Sequence, residues 1–183
     1  MDPTVKPITK TLLLGLGNAM LSDLGFGIEI IHRLRRHQPR SPHLDLARAG
    51  LVNVSLGQLI SGYANLIIVE SRPIGGEPGN IVEMQGTRMD EFLKQQTGDD
   101  AMLADILGLL EPAGRRPFRR TLMVVQPVSA RVGHGLSPAV TAALPHLIDM
   151  VLERAADWNA PPPQTPGAAI VRPQDSDNLL IRG

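Results

Sequence analysis

Asp23, Glu70 and Asp99 are the residues whose type and position best suit chemistry. Asp23 follows the glycine-rich stretch Gly15-Leu16-Gly17-Asn18. Glu70 ends the apolar run Leu66-Ile67-Ile68-Val69, and Asp99 and Asp100 precede an apolar-periodic segment around Leu103. These carboxylates come from distant parts of the chain and can meet at one rim. An all-oxygen set of this kind accepts hard or borderline cations. Each acid also has a structural role open to it: turn chemistry for Asp23, a helix cap for Asp99 or Asp100. An acid ending a buried strand, as Glu70 does, typically faces a cleft.

Other chemistries are weaker or excluded. The chain has no cysteine, which removes thiolate nucleophiles, disulfides and Cys-ligated metals. No G-x-S-x-G elbow occurs, and no protein-derived nucleophile is evident. His134 sits alone in the loop Gly133-His134-Gly135, a setting that suits a structural or solvated histidine. Ser137, before Pro138, fits a helix N-cap. A dinucleotide fingerprint needs a third glycine where Met20 stands, and Gly25 and Gly27 do not restore the spacing. The first loop therefore reads as a tight turn after a strand.

The elements that must position these residues follow from apolar periodicity. Thr11–Leu16 and Leu66–Val69 are continuous apolar runs, which suits strands buried on both faces. His43–Ala49, Asn80–Met84 and Thr121–Val125 supply three more strands. Helical spacing covers Ile28–Arg36, a segment from Ser55 towards Tyr63 with Ser55 as cap, a weaker one over Asp90–Gln96, and one capped by Asp100 through Leu110. A last helix begins near Pro138 and carries Val140, Leu144, Leu147, Val151 and Leu152 inward. Strands alternating with helices predict an α/β three-layer sandwich, with about five mostly parallel strands between helices.

Residues 9–156 form the expected domain. Residues 157–183, with Pro161, Pro162, Pro163, Pro166 and Pro173, read as a mobile tail, and residues 1–8 as a loose arm. Equal numbers of basic and acidic residues, 18 each, argue against a nucleic-acid partner. An aromatic content of 3% leaves little for base stacking. No apolar run reaches membrane-spanning length and no signal peptide is evident, so the expectation is a cytoplasmic protein without a membrane partner.

Taken together, the landmarks are more specific than any one of them. Leu13-Leu14-Gly15-Leu16-Gly17-Asn18, Leu21-Ser22-Asp23 and Gly25-Phe26-Gly27 resemble the opening of the hydrogenase maturation endopeptidases. Leu66–Ser71 followed by Pro78-Gly79, then Leu103-Ala104-Asp105-Ile106-Leu107, then Pro127-Val128-Ser129 through Val140, resemble their later landmarks in order. The resemblance covers about residues 10–155. It implies a protease that removes a C-terminal extension from the large-subunit precursor of a nickel–iron hydrogenase after nickel insertion. It implies no intrinsic cofactor: nickel is sensed in the substrate, where it polarises or positions the scissile region.

The same resemblance places three metal-sensing side chains: an acid in the first loop, an acid ending the middle strand, and a histidine before the next helix. Here these positions hold Leu24, Glu70 and Asp99. Asp23, beside Leu24, is a further candidate ligand. The family's Asp-Gly-Gly-Thr segment reads Arg48-Ala49-Gly50-Leu51. Gly17, Asn18, Arg48 and Gly50 are the candidate substrate-binding positions. The altered ligands imply a divergent member that binds a large-subunit precursor without cutting it. The alternative is an endopeptidase that still removes the extension. Gly15-Leu16-Gly17-Asn18 also resembles the start of bacterial peptidyl-tRNA hydrolases, but those continue Asn-Pro-Gly and carry an early histidine, whereas Ala19-Met20 follows here and the first histidine is His32.

Overall fold

The computed structural model describes residues 10–37 and 41–159. Five strands form one sheet: β1 (Thr11–Leu16), β2 (Leu44–Ala49), β3 (Asn65–Ser71), β4 (Ile81–Gln85) and β5 (Arg119–Val125). Their order is β2-β1-β3-β5-β4. Every neighbouring pair is parallel except β4 with β5, so the expected mostly parallel sheet is present with one antiparallel edge. The helices are α1 (Phe26–His37), α2 (Ser55–Ile60), α3 (Gly86–Lys94), α4 (Asp99–Leu110) and α5 (Pro138–Asn159).

Strand alternation sorts side chains onto two faces. Leu12, Leu14, Leu66, Ile68, Leu122 and Val124 pack against α2, α3 and α4 through Leu56, Ile60, Met89, Leu93, Leu103 and Leu107. Leu13, Ile67, Val69, Met123 and Val125 pack on the opposite face against α1 and α5. There Phe26, Ile30, Ile31 and Leu34 of α1 meet Val140, Leu144, Leu147 and Val151 of α5. The two central strands are buried along their whole length, as their unbroken apolar runs require.

Glycines let α1 lie unusually close to the sheet. A Cβ on Gly27 would stand 2.2 Å from the Leu16 carbonyl oxygen and 2.4 Å from that of Val69. Gly17, at φ 141°, faces the Leu24 carbonyl in the same manner, at 2.0 Å from a would-be Cβ. The glycine-rich opening is thus filled by the chain's own backbone.

Several local expectations shift. The residue before α4 is Gly98, at φ 64°, and Asp99 and Asp100 both lie in the first turn, so Asp100 is not the cap. Acids there still favour the helix dipole. Ser55 is the first residue of α2 instead of its cap, and its N–H donates to Asn53 Oδ1. The weak helix over Asp90–Gln96 begins earlier, at Gly86. Ser137 does occupy the cap position of α5, its carbonyl accepting from Thr141 N–H at 2.8 Å. Helix α5 runs through Asn159, so residues 157–159 belong to it. The rest of the proline-rich stretch, and the N-terminal arm, lie outside the described residues.

Candidate functional site

In an open α/β sheet, ligands bind beyond the carboxyl ends of the strands, where strand order reverses. Here that point lies between β1 and β3, since the connections from them run to opposite edges. A cavity of about 260 Å³ sits there. Leu16 and Gly17 at the end of β1, Ala49 and Gly50 at the end of β2, and Glu70 and Ser71 of β3 line it, together with Asp99 and Asp100 at the start of α4. Leu24, Asn18 and Arg72 complete the wall around these residues. Its size falls below the roughly 300–1,000 Å³ of small-molecule sites. It suits a side chain or a short piece of peptide.

Glu70 enters the cavity because it continues the parity of Leu66 and Ile68, which face α4. It is 8% exposed. Burial, the strongest influence on it, pushes its carboxyl above the ordinary range; Arg72 opposes this and the Asp99 charge adds to it. Arg72 Nε lies 3.1 Å from Glu70 Oε1, an ion pair without hydrogen-bond alignment. The same guanidinium pairs with the buried Asp100 and lies 5.5 Å from the Phe92 ring centre. Its backbone N–H donates to the Val125 carbonyl at 3.2 Å, extending the sheet by one residue.

Asp99 is exposed at the rim, and Val52 N–H reaches its Oδ2 at 3.5 Å. Leu24 lines the cavity with an aliphatic side chain. Gly17, Asn18 and Gly50 also line it, whereas Arg48 is exposed on β2 and does not. The Asn18 side-chain oxygen is occupied by Met20 N–H at 2.9 Å. His134 is exposed and lies off the cavity.

Asp23 has a different task from the one its sequence neighbours suggest. It is fully buried, and both carboxylate oxygens are engaged by backbone. Oδ2 accepts from Val128 N–H at 2.9 Å and Ser129 N–H at 3.0 Å, and Oδ1 from Ser137 N–H at 2.6 Å. Burial alone would raise its pKa; the Ser137, Ser129 and Val128 N–H groups outweigh that and hold the carboxyl below the ordinary range. Asp23 does not line the cavity, so it ties the first loop to the loop before α5 and does not stand in for Leu24.

A family model described as hydrogenase maturation protease matches residues 28–154. This chain belongs to the hydrogenase maturation protease family. The match settles the choice between the two resemblances of the first loop. Among curated relatives of this family member, the hydrogenase expression/formation protein HupD of Rhizobium leguminosarum bv. viciae is 24% identical over 170 residues, covering 91% of this chain and 84% of HupD. The hydrogenase 2 maturation protease of Escherichia coli is 25% identical over 145 residues, covering 78% and 88%. In fold, the chain is similar to the hydrogenase maturating endopeptidase HybD from E. coli, with a TM-score of 0.77 and 24% identity over 82% of this chain and 94% of that one. The [NiFe] hydrogenase maturation protease HybD from Thermococcus kodakarensis gives 0.67 and 20% identity, over 80% and 99%.

Within this hydrogenase maturation protease scaffold, the positions of Leu24, Glu70 and Asp99 share one cavity. Arg72 was not singled out from the sequence, although a residue two beyond Glu70 on a strand shares its face. Ser71 was missed as well. Nothing local signals that it lines the cavity.

Proposed function

We propose that this chain is a hydrogenase maturation factor that binds the large-subunit precursor of a nickel–iron hydrogenase and holds it without cutting it. The observation that carries this reading is the donor set of the cavity. Leu24 supplies no ligand atom, Asp99 supplies oxygen where imidazole is expected, and Glu70 is paired with Arg72. Among the described residues no group of three or more His, Asp or Glu side chains converges to hold a metal ion. A set of two carboxylates, one of them already paired, is a poor reader of nickel in a bound substrate.

The scaffold for holding a partner is intact. The cavity opens at the switch point of the sheet, and Leu51 at its lining is 71% exposed, an apolar contact for an incoming chain. Gly17, Asn18 and Gly50 lie along the same lining. Among the described residues no helix is long and apolar enough to cross a membrane, and we place the chain in the cytoplasm with its precursor.

The test is capture of an unprocessed large-subunit precursor by the full chain, with Leu51→Asp as the comparison. The reading expects a stable complex for the wild type and a weakened one for the variant. Failure of the wild type to retain the precursor contradicts it.

A further inference from the structure

The sheet has an open edge that runs into the cavity. Strand β2 is an end strand and pairs only with β1. Thr11 N–H donates to the His43 carbonyl at 2.9 Å, and Gly17 N–H to that of Ala49 at 3.2 Å. Between these two bonds the parallel ladder turns the main chain of Asp45 and Ala47 towards β1. The main-chain groups of Leu44, Leu46 and Arg48 therefore point away from the sheet. Leu44 N–H reaches the Ser41 carbonyl at 3.4 Å, and Arg35 Nη2 covers the Leu46 carbonyl at 2.9 Å. The Leu46 N–H and both main-chain groups of Arg48 have no partner among the described residues. Arg48 and Gly50 are exposed, so this stretch of edge is open to a partner.

Unpaired outward N–H and C=O groups on an end strand take an extended polypeptide, whose main chain continues the ladder. Ala49 to Val52, the next residues along, line the cavity, and no residue of the other end strand, β4, does so. The cavity holds about 260 Å³, room for a side chain and not for the rest of a chain, which must leave over the rim. Leu44 and Leu46 pack on the α1 face of the sheet, so Arg48 shares that side of the edge with Arg35. Asp45, the acid of β2, alternates to the other face and is engaged by Lys10 and Tyr63. The open edge is thus flanked by two guanidinium groups and favours a chain bearing carboxylates.

We propose that β2 is the docking edge for the C-terminal extension of the large-subunit precursor. The extension leaves the cavity, runs antiparallel to β2 and exchanges both main-chain hydrogen bonds with Arg48. This rests on the proposed binding function and deepens it by naming the segment that is held. The direction follows from chain order. The body of the precursor precedes the extension, so the chain meets the cavity first and carries its terminal carboxylate towards Arg35.

Two measurements test the inference with the full chain. The first is affinity for a large-subunit precursor with its extension and for the same subunit ending where the extension begins. The extended form should bind at least about tenfold more tightly. Arg48→Pro removes the outward N–H without breaking a ladder bond, as proline on an end strand can. It should weaken binding of the extended form by about tenfold and leave the shortened form unchanged. Arg48→Ala keeps the N–H and should lose no more than about threefold. Equal affinity of wild type for the two forms, or equal losses in the two variants, overturns the proposal and leaves the binding function standing. Binding of neither form contradicts both. The second is amide hydrogen exchange in the wild-type complex, which depends on no variant folding. The Arg48 N–H should slow at least about tenfold on binding the extended precursor, and the Ala47 N–H, already in the ladder, should change less. An Arg48 N–H that exchanges as fast in the complex as in the free chain overturns the proposal.

Discussion

Arg72 Nε lies 3.1 Å from Glu70 Oε1, so the acid that ends the central strand carries its own counter-charge. The pairing follows from strand geometry. Residues two apart on β3 and its extension face the same side, and that side is closed by α4 with Asp100 in its first turn. The first prediction concerns this acid. Burial favours the neutral carboxyl of Glu70, and Asp100 still pairs with Arg72 when Glu70 is neutral. Glu70→Gln should therefore fold and change stability by no more than about 1 kcal/mol at neutral pH. Glu70→Ala should cost more, because it also empties the packing at the cavity. Urea denaturation of the two variants checks the ordering.

Restoring a metal reader should need changes at two positions. Leu24→Glu combined with Asp99→His supplies a carboxylate and an imidazole at the lining of the same cavity. The double variant should bind nickel ion at least about tenfold more tightly than wild type, the scale of one added ligand or its support. Isothermal titration reads this directly. No gain would mean that the Arg72 pairing, and not the missing ligands, keeps the metal out.

Asp23 should behave as a structural clamp. Three backbone N–H groups converge on it from the loop before α5. Asp23→Asn leaves one acceptor oxygen and turns an NH2 group towards backbone donors, and should cost about 3 kcal/mol. Its native pKa is lowered, so its contribution is present above the ordinary carboxylate range and lost as pH falls through the native value. Wild type should therefore lose stability below about pH 4, and the variant should show a shallower loss. Denaturation midpoints at pH 7 and pH 3.5 give the comparison.

Two glycines should respond in opposite directions to alanine. At Gly27 the added Cβ meets two backbone carbonyls, neither of which can move without shifting α1 from the sheet. Gly27→Ala should cost about 4 kcal/mol or prevent folding. Gly108, exposed in α4, has nothing within 4 Å of a would-be Cβ. Gly108→Ala should add about 0.5–1 kcal/mol by helix propensity. Thermal unfolding of the pair checks both signs.

The layering was legible because it depends on local patterns. Leu66–Val69 has no polar break, and the alternation of Leu12 and Leu14 with Leu13 divides the two cores. Helices α1 and α5 showed in the spacing of Ile31 and Leu34 and of Val140, Leu144 and Leu147, although that spacing puts Ile28 on the inner side of α1 and the structure buries Ile30 there instead. What escaped were partners chosen by tertiary contact. Asp100 reads as a cap from its position, yet its carboxylate pairs with Arg72, 28 positions earlier in sequence. Asp23 reads as a ligand beside Leu24, yet its oxygens are engaged by a loop more than a hundred residues away. Such choices depend on which loop arrives at the same rim, and no local period encodes that.

The most direct test of the central claim is the intact mass of a nickel-loaded large-subunit precursor after incubation with this chain, measured on the complex they form. The account predicts a complex containing the precursor at its full mass. Loss of the C-terminal extension would contradict it, and would mean that Glu70 and Asp99 support cleavage without the ligands missing at their side.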